Sequence, residues 1–249
     1  MARTVFEGFR TTTRSVAMLK EARKLFKLRG GGTPPKITQG GYNAGGVSES
    51  AGTHDRDAMD FATRLFSLTR SKLWEWCLWE VGFAAWRRQY IAGLWPAHTH
   101  AVPKEGDLSA GAANQVTQFH QGDNALQGDL DYPRILSSGF ARRTWAGYKD
   151  VRDKLSGIID LSGVIGAFKA GTQPPLSQNE GDNDIHQIQR ALNHYLDSKL
   201  TVDGVPGSAT KGVYATYQSR LYGIPKWSAD ANGIPGRDSL EKLGFNMVA

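Results

Sequence analysis

The chain has 249 residues, with 30 lysines and arginines against 24 aspartates and glutamates, and a hydrophobic content of 40% that includes seven tryptophans. This composition excludes a disordered chain, and the length is sufficient for two domains. The single cysteine, Cys77, excludes internal disulfides and a cysteine metal site. The net charge of +6 favours polyanionic surroundings, such as nucleic acid, a membrane surface or a cell wall.

The first forty residues combine a helix pattern with a short strand pattern. Residues 1–19 contain no apolar stretch of the length that an export signal needs, so we expect synthesis in a cytoplasm without a signal peptide. After Thr13, apolar residues recur at three- and four-residue spacing, which predicts an amphipathic helix over residues 14–27. Glycines and prolines over residues 30–35 end this helix, and residues 36–39 are a candidate strand.

The next sixty residues alternate between loop, helix and strand patterns. Residues 40–53, which precede His54, are rich in Gly, Ser, Ala, Asn and Thr, which suits a cleft wall close to an extended substrate. Residues 68–81 predict a core helix, and residues 83–86 and 94–102 predict strands separated by a loop at residues 87–93. Helices and short strands without a βαβ rhythm indicate an α+β domain with a small, mainly antiparallel sheet.

Three histidines and one aspartate in this half of the chain have the spacing of a metal site. His54 is followed six residues later by Asp60, and His98 and His100 form a His-Thr-His motif on the last predicted strand. Two imidazoles and one carboxylate can hold Zn²⁺ with a fourth position open to water, so His54, Asp60 and His100 are the candidate ligands. His98 lies on the same side of the strand as His100, and it is the candidate catalytic residue for proton transfer or oxyanion stabilisation.

The stretch GGVSESAGTHDRDAMD, followed by PAHTHAV, resembles the Ser-x-x-x-His and His-x-His signatures of a group of zinc peptidases. The group comprises lysostaphin, D-Ala-D-Ala metallopeptidases and hedgehog-like proteins. In particular, the chain is similar to the D-alanyl-D-alanine carboxypeptidase-like wall peptidases of actinobacteria and their phages. The resemblance implies that His54, Asp60 and His100 bind zinc and that His98 lies beside the scissile bond.

The chain departs from that family in ways that leave two assignments open. The interval between histidine and aspartate is one residue shorter than usual, so Asp57 could bind the metal instead of Asp60. Ala97 occupies the position where many carboxypeptidase members have a glutamate base. The role of general base therefore passes to His98 or to a carboxylate elsewhere in the chain.

Several residues near the motifs are candidates for supporting roles. By resemblance, Gln39 binds a substrate amide or carboxylate, and Tyr42 and Ser50 are further candidate substrate contacts. Asp55 or a backbone carbonyl is expected to orient the metal-binding histidines. Tryptophans are generally core residues, and Trp95 is the one placed next to the His-Thr-His motif, where it could line the cleft instead.

Residues 107–168 are expected to extend the catalytic domain, which spans residues 1–168, as a connecting arm. Within them, Ser109 and Gly122 are predicted to begin and end one helix, and residues 142–160 show a second helical pattern. Residues 169–183 have the Gly, Pro, Ser and Asn content of a linker.

The remaining residues, 184–249, contain a near-repeat with an offset of 29 residues, VDGVPGSAT at 202–210 and ANGIPGRDS at 231–239. Each copy predicts a tight turn with glycine at positive φ and then a Ser/Thr-capped helix, and residues 184–196 predict a helix before both. This pattern resembles the peptidoglycan-binding domain of three short helices found at the ends of bacterial and phage wall hydrolases.

Three classes of function are compatible with these patterns. The first is an endolysin-like zinc metallopeptidase that cleaves stem peptides or cross-bridges of bacterial peptidoglycan, with no nucleic-acid or membrane partner, as a monomer. It would be made in a host cytoplasm and would reach the cell wall by holin-type release or from the virion. The second is a non-catalytic wall-binding protein with a degenerate peptidase domain. The third, a basic nucleic-acid-binding protein, is favoured by net charge alone.

Overall fold

The structure is a computed structural model that describes residues 2–42, 52–54, 56–106, 108–123, 125, 142–172 and 183–248. Helices and short strands are interspersed along these ranges. The fold is therefore mixed helix and sheet with small, mainly antiparallel sheets, which agrees with the predicted α+β class. No helix in this part of the chain is long and apolar enough to cross a membrane.

The strands are β1 (Arg3–Phe6), β2 (Phe9–Thr12), β3 (Ile37–Gln39), β4 (Met59–Phe61), β5 (Phe83–Arg88), β6 (His98–Pro103), β7 (Ile158–Asp160) and β8 (Asn246–Val248). The α-helices are α1 (Thr13–Leu28), α2 (Leu68–Glu80), α3 (Ala110–Gln121), α4 (Trp145–Leu155), α5 (Leu161–Ala170), α6 (Asp184–Leu196), α7 (Ser208–Tyr222) and α8 (Arg237–Leu243). A short 3-10 helix covers Ala229–Ala231, and residues 52–54 form one helical turn.

The chain divides into two compact units. The first comprises Met1–Phe26 and Gly31–Tyr148, and the second comprises Lys27–Gly30 and Lys149–Ala249. The boundary therefore lies within α4, whereas the sequence placed it at residue 168. Most of the predicted linker, residues 173–182, lies outside the described residues.

A four-stranded antiparallel sheet with the order β3-β4-β6-β5 is the centre of the first unit. Trp74 of α2 packs edge-on against Phe61 of β4, with ring centroids 5.2 Å apart. Phe119 of α3 packs edge-on against Trp86 of β5 at 5.5 Å. Phe61 and Trp86 pair with consecutive residues of β6, so α2 and α3 cover opposite faces of the sheet.

The register of this sheet aligns the candidate site residues in one row. Gln39 pairs with Asp60, Asp60 pairs with His100, and His100 pairs with Trp86. Directly opposed side chains lie on one face, and His98 joins that face because it is two residues from His100. A slip of β6 by one residue would turn both histidines to the other face.

The predicted helices of the first unit are confirmed as α1, α2 and α3. Ser109 caps α3 by accepting the N–H of Ala112, and Gly122 ends it with φ of 83°. The strands differ from the prediction at their ends, because β5 extends through Arg88 and β6 begins at His98 rather than at residue 94. The antiparallel hairpin of β1 and β2 was not predicted.

A parallel pair of short strands corrects the prediction for the connecting arm. Residues Ile158–Asp160 are strand β7 rather than the end of a helix, and they pair with β8 near the end of the chain. The N–H of Asn246 donates to the Gly157 carbonyl at 2.8 Å, and Ile159 is fully buried. This pairing explains why residues 149–168 belong to the second unit and do not extend the first.

The near-repeat of the second unit is also a repeat in three dimensions. Gln189 on α6 accepts the N–H of Gly204 at 2.9 Å, and Gln218 on α7 accepts the N–H of Gly233 at the same distance. Both glycines have positive φ, 72° and 75°, as predicted. A Cβ on either glycine would collide with neighbouring atoms, so each turn requires glycine.

The helices that follow these turns do not start with Ser or Thr caps, contrary to the prediction. Their N-cap residues are Gly207 for α7 and Gly236 for α8. Ser239, the third residue of α8, instead accepts the N–H of Gly236 and donates to its carbonyl. The start of α8 is thus capped by a side chain within its first turn and not by the side chain of the N-cap residue.

Candidate metal centre

His54 occupies a single helical turn and is fully buried. Its Nδ1 lies 3.1 Å from the Gly40 carbonyl oxygen, which can only accept a hydrogen bond and therefore places the proton on Nδ1. Its Nε2 lies 3.3 Å from Asp60 Oδ2 and makes no hydrogen bond among the described residues. The Gly-rich stretch permits this path, because a Cβ on Gly41 would collide with the backbone next to the motif.

Asp60 on β4 and His100 on β6 face each other across the sheet. His100 Nδ1 lies 2.8 Å from Asp60 Oδ1, and His100 Nε2 lies 3.0 Å from Gln115 Oε1 on α3. Burial raises the pKa of Asp60, but the adjacent imidazoles of His100 and His54 outweigh burial and hold this pKa below its usual range. Burial lowers the pKa of His100 and so favours the neutral imidazole.

Together these three side chains lie close enough to hold a metal ion. One ligand atom from each of His54, Asp60 and His100 lies within 4.8 Å of the others. The second ring nitrogen of each histidine faces an oxygen acceptor, the Gly40 carbonyl or the Gln115 amide. The remaining nitrogens therefore direct lone pairs at an ionised carboxylate, which is unfavourable unless a cation or a proton lies between them. Metal-binding histidines are typically oriented by such acceptors.

His98 lies next to this group. Its side chain is 13% exposed, and its Nδ1 donates to the Pro96 carbonyl at 2.8 Å. That bond leaves Nε2 as the acceptor, 3.8 Å from Asp60 Oδ1. The position suits a residue that moves a proton beside the cluster.

The cluster lines a cleft of about 500 Å³ in the first unit. Gln39 also lines the cleft, and its Nε2 is buried and has no hydrogen-bond partner in the described ranges. Trp95 lines the cleft and is not a core residue. Arg88, which is 3% exposed, lies over the ring of Trp86 and adds a positive charge to the wall. These walls suit an extended polar ligand with acceptor groups.

Asp57 is not part of the cluster. Its buried carboxylate accepts hydrogen bonds from Thr11 Oγ1 at 2.7 Å, from Ser15 Oγ at 2.6 Å, and from both the N–H and the Oγ1 of Thr12. All these donors belong to the end of β2 and the start of α1. Asp57 therefore anchors the motif to the N-terminal hairpin, and the geometry favours Asp60 as the carboxylate of the site.

Tyr42, Ser50, Asp55 and His120 lie away from the cluster or outside the described residues. Tyr42 is not among the described residues that line the cleft, and the Arg3 guanidinium lies 4.4 Å from the centre of its ring. Ser50 and Asp55 lie outside the described residues. His120 is exposed on α3 and lies outside the cluster.

The residue that sequence reasoning missed is Gln115. Its signal was weak, because three glutamines lie near one another on α3 and the sequence does not tell which of them faces a strand 15 residues earlier. Gly40 was anticipated only as an unspecified backbone carbonyl, since backbone groups leave no mark in a sequence.

Comparisons with models of protein families, with curated protein sequences and with solved structures found no match to this chain.

Proposed function

We propose that the first unit is a zinc peptidase and that the protein hydrolyses peptide bonds of bacterial peptidoglycan in the manner of an endolysin. The supporting observation is that His54 Nε2, His100 Nδ1 and the Asp60 carboxylate converge, while acceptors hold the two other ring nitrogens. Two imidazoles and one carboxylate suit Zn²⁺ and leave a coordination position for water or substrate, which is the arrangement of catalytic sites.

A Zn²⁺ ion held by these side chains would supply the Lewis acidity that activates water and polarises a peptide carbonyl. His98 Nε2, whose lone pair is set by the bond from Nδ1 to Pro96, takes the proton from the attacking water and delivers it to the leaving amine. Gln39 Nε2 donates to a carbonyl or carboxylate of the substrate. Trp95 supplies apolar wall area that holds an extended peptide in the cleft.

Peptidoglycan as the substrate is supported by sequence resemblance in both units. The motifs around His54 and His100 resemble those of wall peptidases, and the repeated turns before α7 and α8 resemble those of a peptidoglycan-binding domain. The net charge of +6 also favours binding to an acidic wall polymer. A wall-binding unit would raise the local concentration of the peptidase along an insoluble polymer.

A non-catalytic wall-binding protein is the alternative. Two observations favour it: the short interval between His54 and Asp60, and the lack of a glutamate among the described residues that line the cleft. In that case His100 Nδ1 carries a proton and donates a hydrogen bond to Asp60, so that no cation is needed between the two side chains.

Metal content and wall hydrolysis together test the proposal. The protein is purified without added metal, its zinc is quantified, and lysis of purified sacculi is followed by turbidity before and after treatment with a chelator. We expect about one zinc per chain, loss of lysis with the chelator, and recovery when zinc is returned. A protein that sediments with sacculi, contains no zinc and releases no peptides from them would support the alternative. Absence of both binding and lysis would contradict both functions.

A further inference from the structure

Gln115 connects the candidate metal centre to α3. Its Oε1 lies 3.0 Å from His100 Nε2, and its side chain is partly buried at the edge of the cleft. The neighbouring positions on the same side of the helix are core residues, namely Ala112, Val116 and Phe119. Gln115 is thus a polar residue beside the buried face of α3, and the packing of that face fixes where Gln115 lies.

The start of α3 is fixed against the segment that carries His54. Ser109 Oγ donates to the Gly52 carbonyl at 2.8 Å. Gly111 approaches the same oxygen so closely that a Cβ would lie 2.6 Å from it. One helix therefore contacts both histidine-bearing segments, the turn of His54 through its first residues and the strand of His100 through Gln115.

The chemistry of the imidazole makes the contact with Gln115 informative. A neutral ring has one N–H and one lone pair, so the partner of one nitrogen decides the role of the other. An amide oxygen at Nε2 selects the tautomer whose proton is on Nε2. The Nδ1 lone pair of His100 then points towards Asp60, to which His54 Nε2 also points.

We propose that Gln115 is a positioning residue that fixes the tautomer in which His100 binds the cation through Nδ1, and that it thereby sets the metal affinity of the site. This inference rests on the proposed function, because it requires a metal centre. Gln115 does not touch the substrate and acts through His100 alone. Outer partners of metal-binding histidines typically change metal affinity roughly 10- to 100-fold.

Zinc affinity is measured by competition with a chromophoric chelator for the full chain and three variants. We expect Gln115→Leu to bind zinc roughly 10- to 100-fold more weakly, because Leu cannot hold the Nε2 proton. Gln115→Glu should keep or raise the affinity, since a carboxylate accepts the same proton. Gln121→Leu changes an exposed glutamine at the end of the same helix and should bind zinc like the parent protein.

The tautomer itself is read from long-range ¹H–¹⁵N spectra of the histidines in zinc-loaded protein. We expect His100 with its proton on Nε2 and zinc on Nδ1 in the parent chain and in Gln115→Glu, and a mixture of Nδ1-bound and Nε2-bound His100 in Gln115→Leu. A proton on Nδ1 in the parent chain would overturn the inference, as would equal zinc affinity of the parent and a folded Gln115→Leu. If Gln115→Leu does not fold, the parent spectrum and the zinc affinity of Gln115→Asn test the inference instead. Gln115→Asn should weaken zinc binding, because its shorter side chain does not reach His100 Nε2. A parent protein that binds no zinc would instead refute the metal site on which both proposals depend.

Discussion

His100 lies directly opposite Asp60 in the antiparallel pairing of β4 and β6, and its Nδ1 is 2.8 Å from Asp60 Oδ1. The two residues are 40 positions apart in the chain, so the register of two short strands creates the contact. His54 approaches the same carboxylate from a helical turn outside the sheet. In the proposed function, cation binding and proton transfer depend on different residues around this carboxylate, and substitutions should separate the two.

His100→Ala should abolish both zinc retention and wall lysis, because two remaining ligands are too few to hold the ion against water. Zinc content after gel filtration and turbidity of sacculi measure the two effects. His120→Ala is the matched control, since His120 is exposed on α3 and should retain zinc and lysis. Full zinc content and full activity in His100→Ala would show that the site is assigned to the wrong residues.

His98→Ala should keep zinc and lose activity by a factor on the order of 10² or more, the usual contribution of a positioned acid–base group. The reason is that His98 lies beside the cluster with Nε2 as its acceptor and is not needed to hold the ion. Zinc content and the rate of cleavage of soluble muropeptides are measured on the same preparation. An unchanged rate would reduce His98 to a structural neighbour.

Asp57→Ala should destabilise the first unit by about 3 kcal/mol, because buried donors of Thr11, Thr12 and Ser15 lose a charged acceptor. The folded fraction should still bind zinc. Asp60→Ala should show the opposite behaviour and lose zinc while it remains folded. Urea unfolding and zinc content compare the two variants. Loss of zinc from a folded Asp57→Ala protein would transfer the ligand role to Asp57.

Glu75 on α2 is a buried acid whose carboxylate accepts the N–H of Arg87. Burial raises its pKa to about 7 from the ordinary value of 4.5, although the bond from Arg87 and nearby positive charges oppose the change. Between these two values the folded protein holds a proton that the unfolded chain has released. Stability should therefore fall as pH rises from about 4.5 to about 7.

Glu75→Gln should remove this fall and exceed the parent protein in stability by roughly 1–3 kcal/mol above pH 7. Urea unfolding between about pH 5 and about pH 8 tests this, with tryptophan fluorescence as the signal. Six of the seven tryptophans lie in the first unit, so the signal reports mainly on that unit. The same pH dependence in both proteins would exclude Glu75 as its source.

A fragment of residues 156–249 should be more stable than one of residues 184–249. The shorter fragment lacks β7, the partner of β8, and it also lacks the buried side chains of Ile159 and Phe168. Phe168 packs edge-on against Tyr214 at 5.7 Å, and each buried side chain of this size contributes roughly 2 kcal/mol. We expect the shorter fragment to melt at least about 10 °C lower by circular dichroism. Equal melting temperatures would show that residues 156–183 do not belong to the folded unit.

The amino-acid sequence alone was sufficient wherever a local pattern decides the outcome. The periodicity of apolar residues predicted α1 and α2, and the capping signals of Ser109 and Gly122 predicted both ends of α3. Strand alternation was enough to place His98 and His100 on one face. The near-repeat predicted the two glycine turns, because only glycine adopts their positive φ without strain.

Only the tertiary structure decided the features that depend on contacts between distant segments. Asp57 and Asp60 are both acids three residues apart, and they differ because one meets the hydroxyls of the N-terminal hairpin and the other meets His100 through strand pairing. The place of β7 in the second unit was hidden because its partner strand lies at the other end of that unit. Gln115 was hidden for the same physical reason, since a hydrogen bond to another element leaves no periodic signal in the sequence.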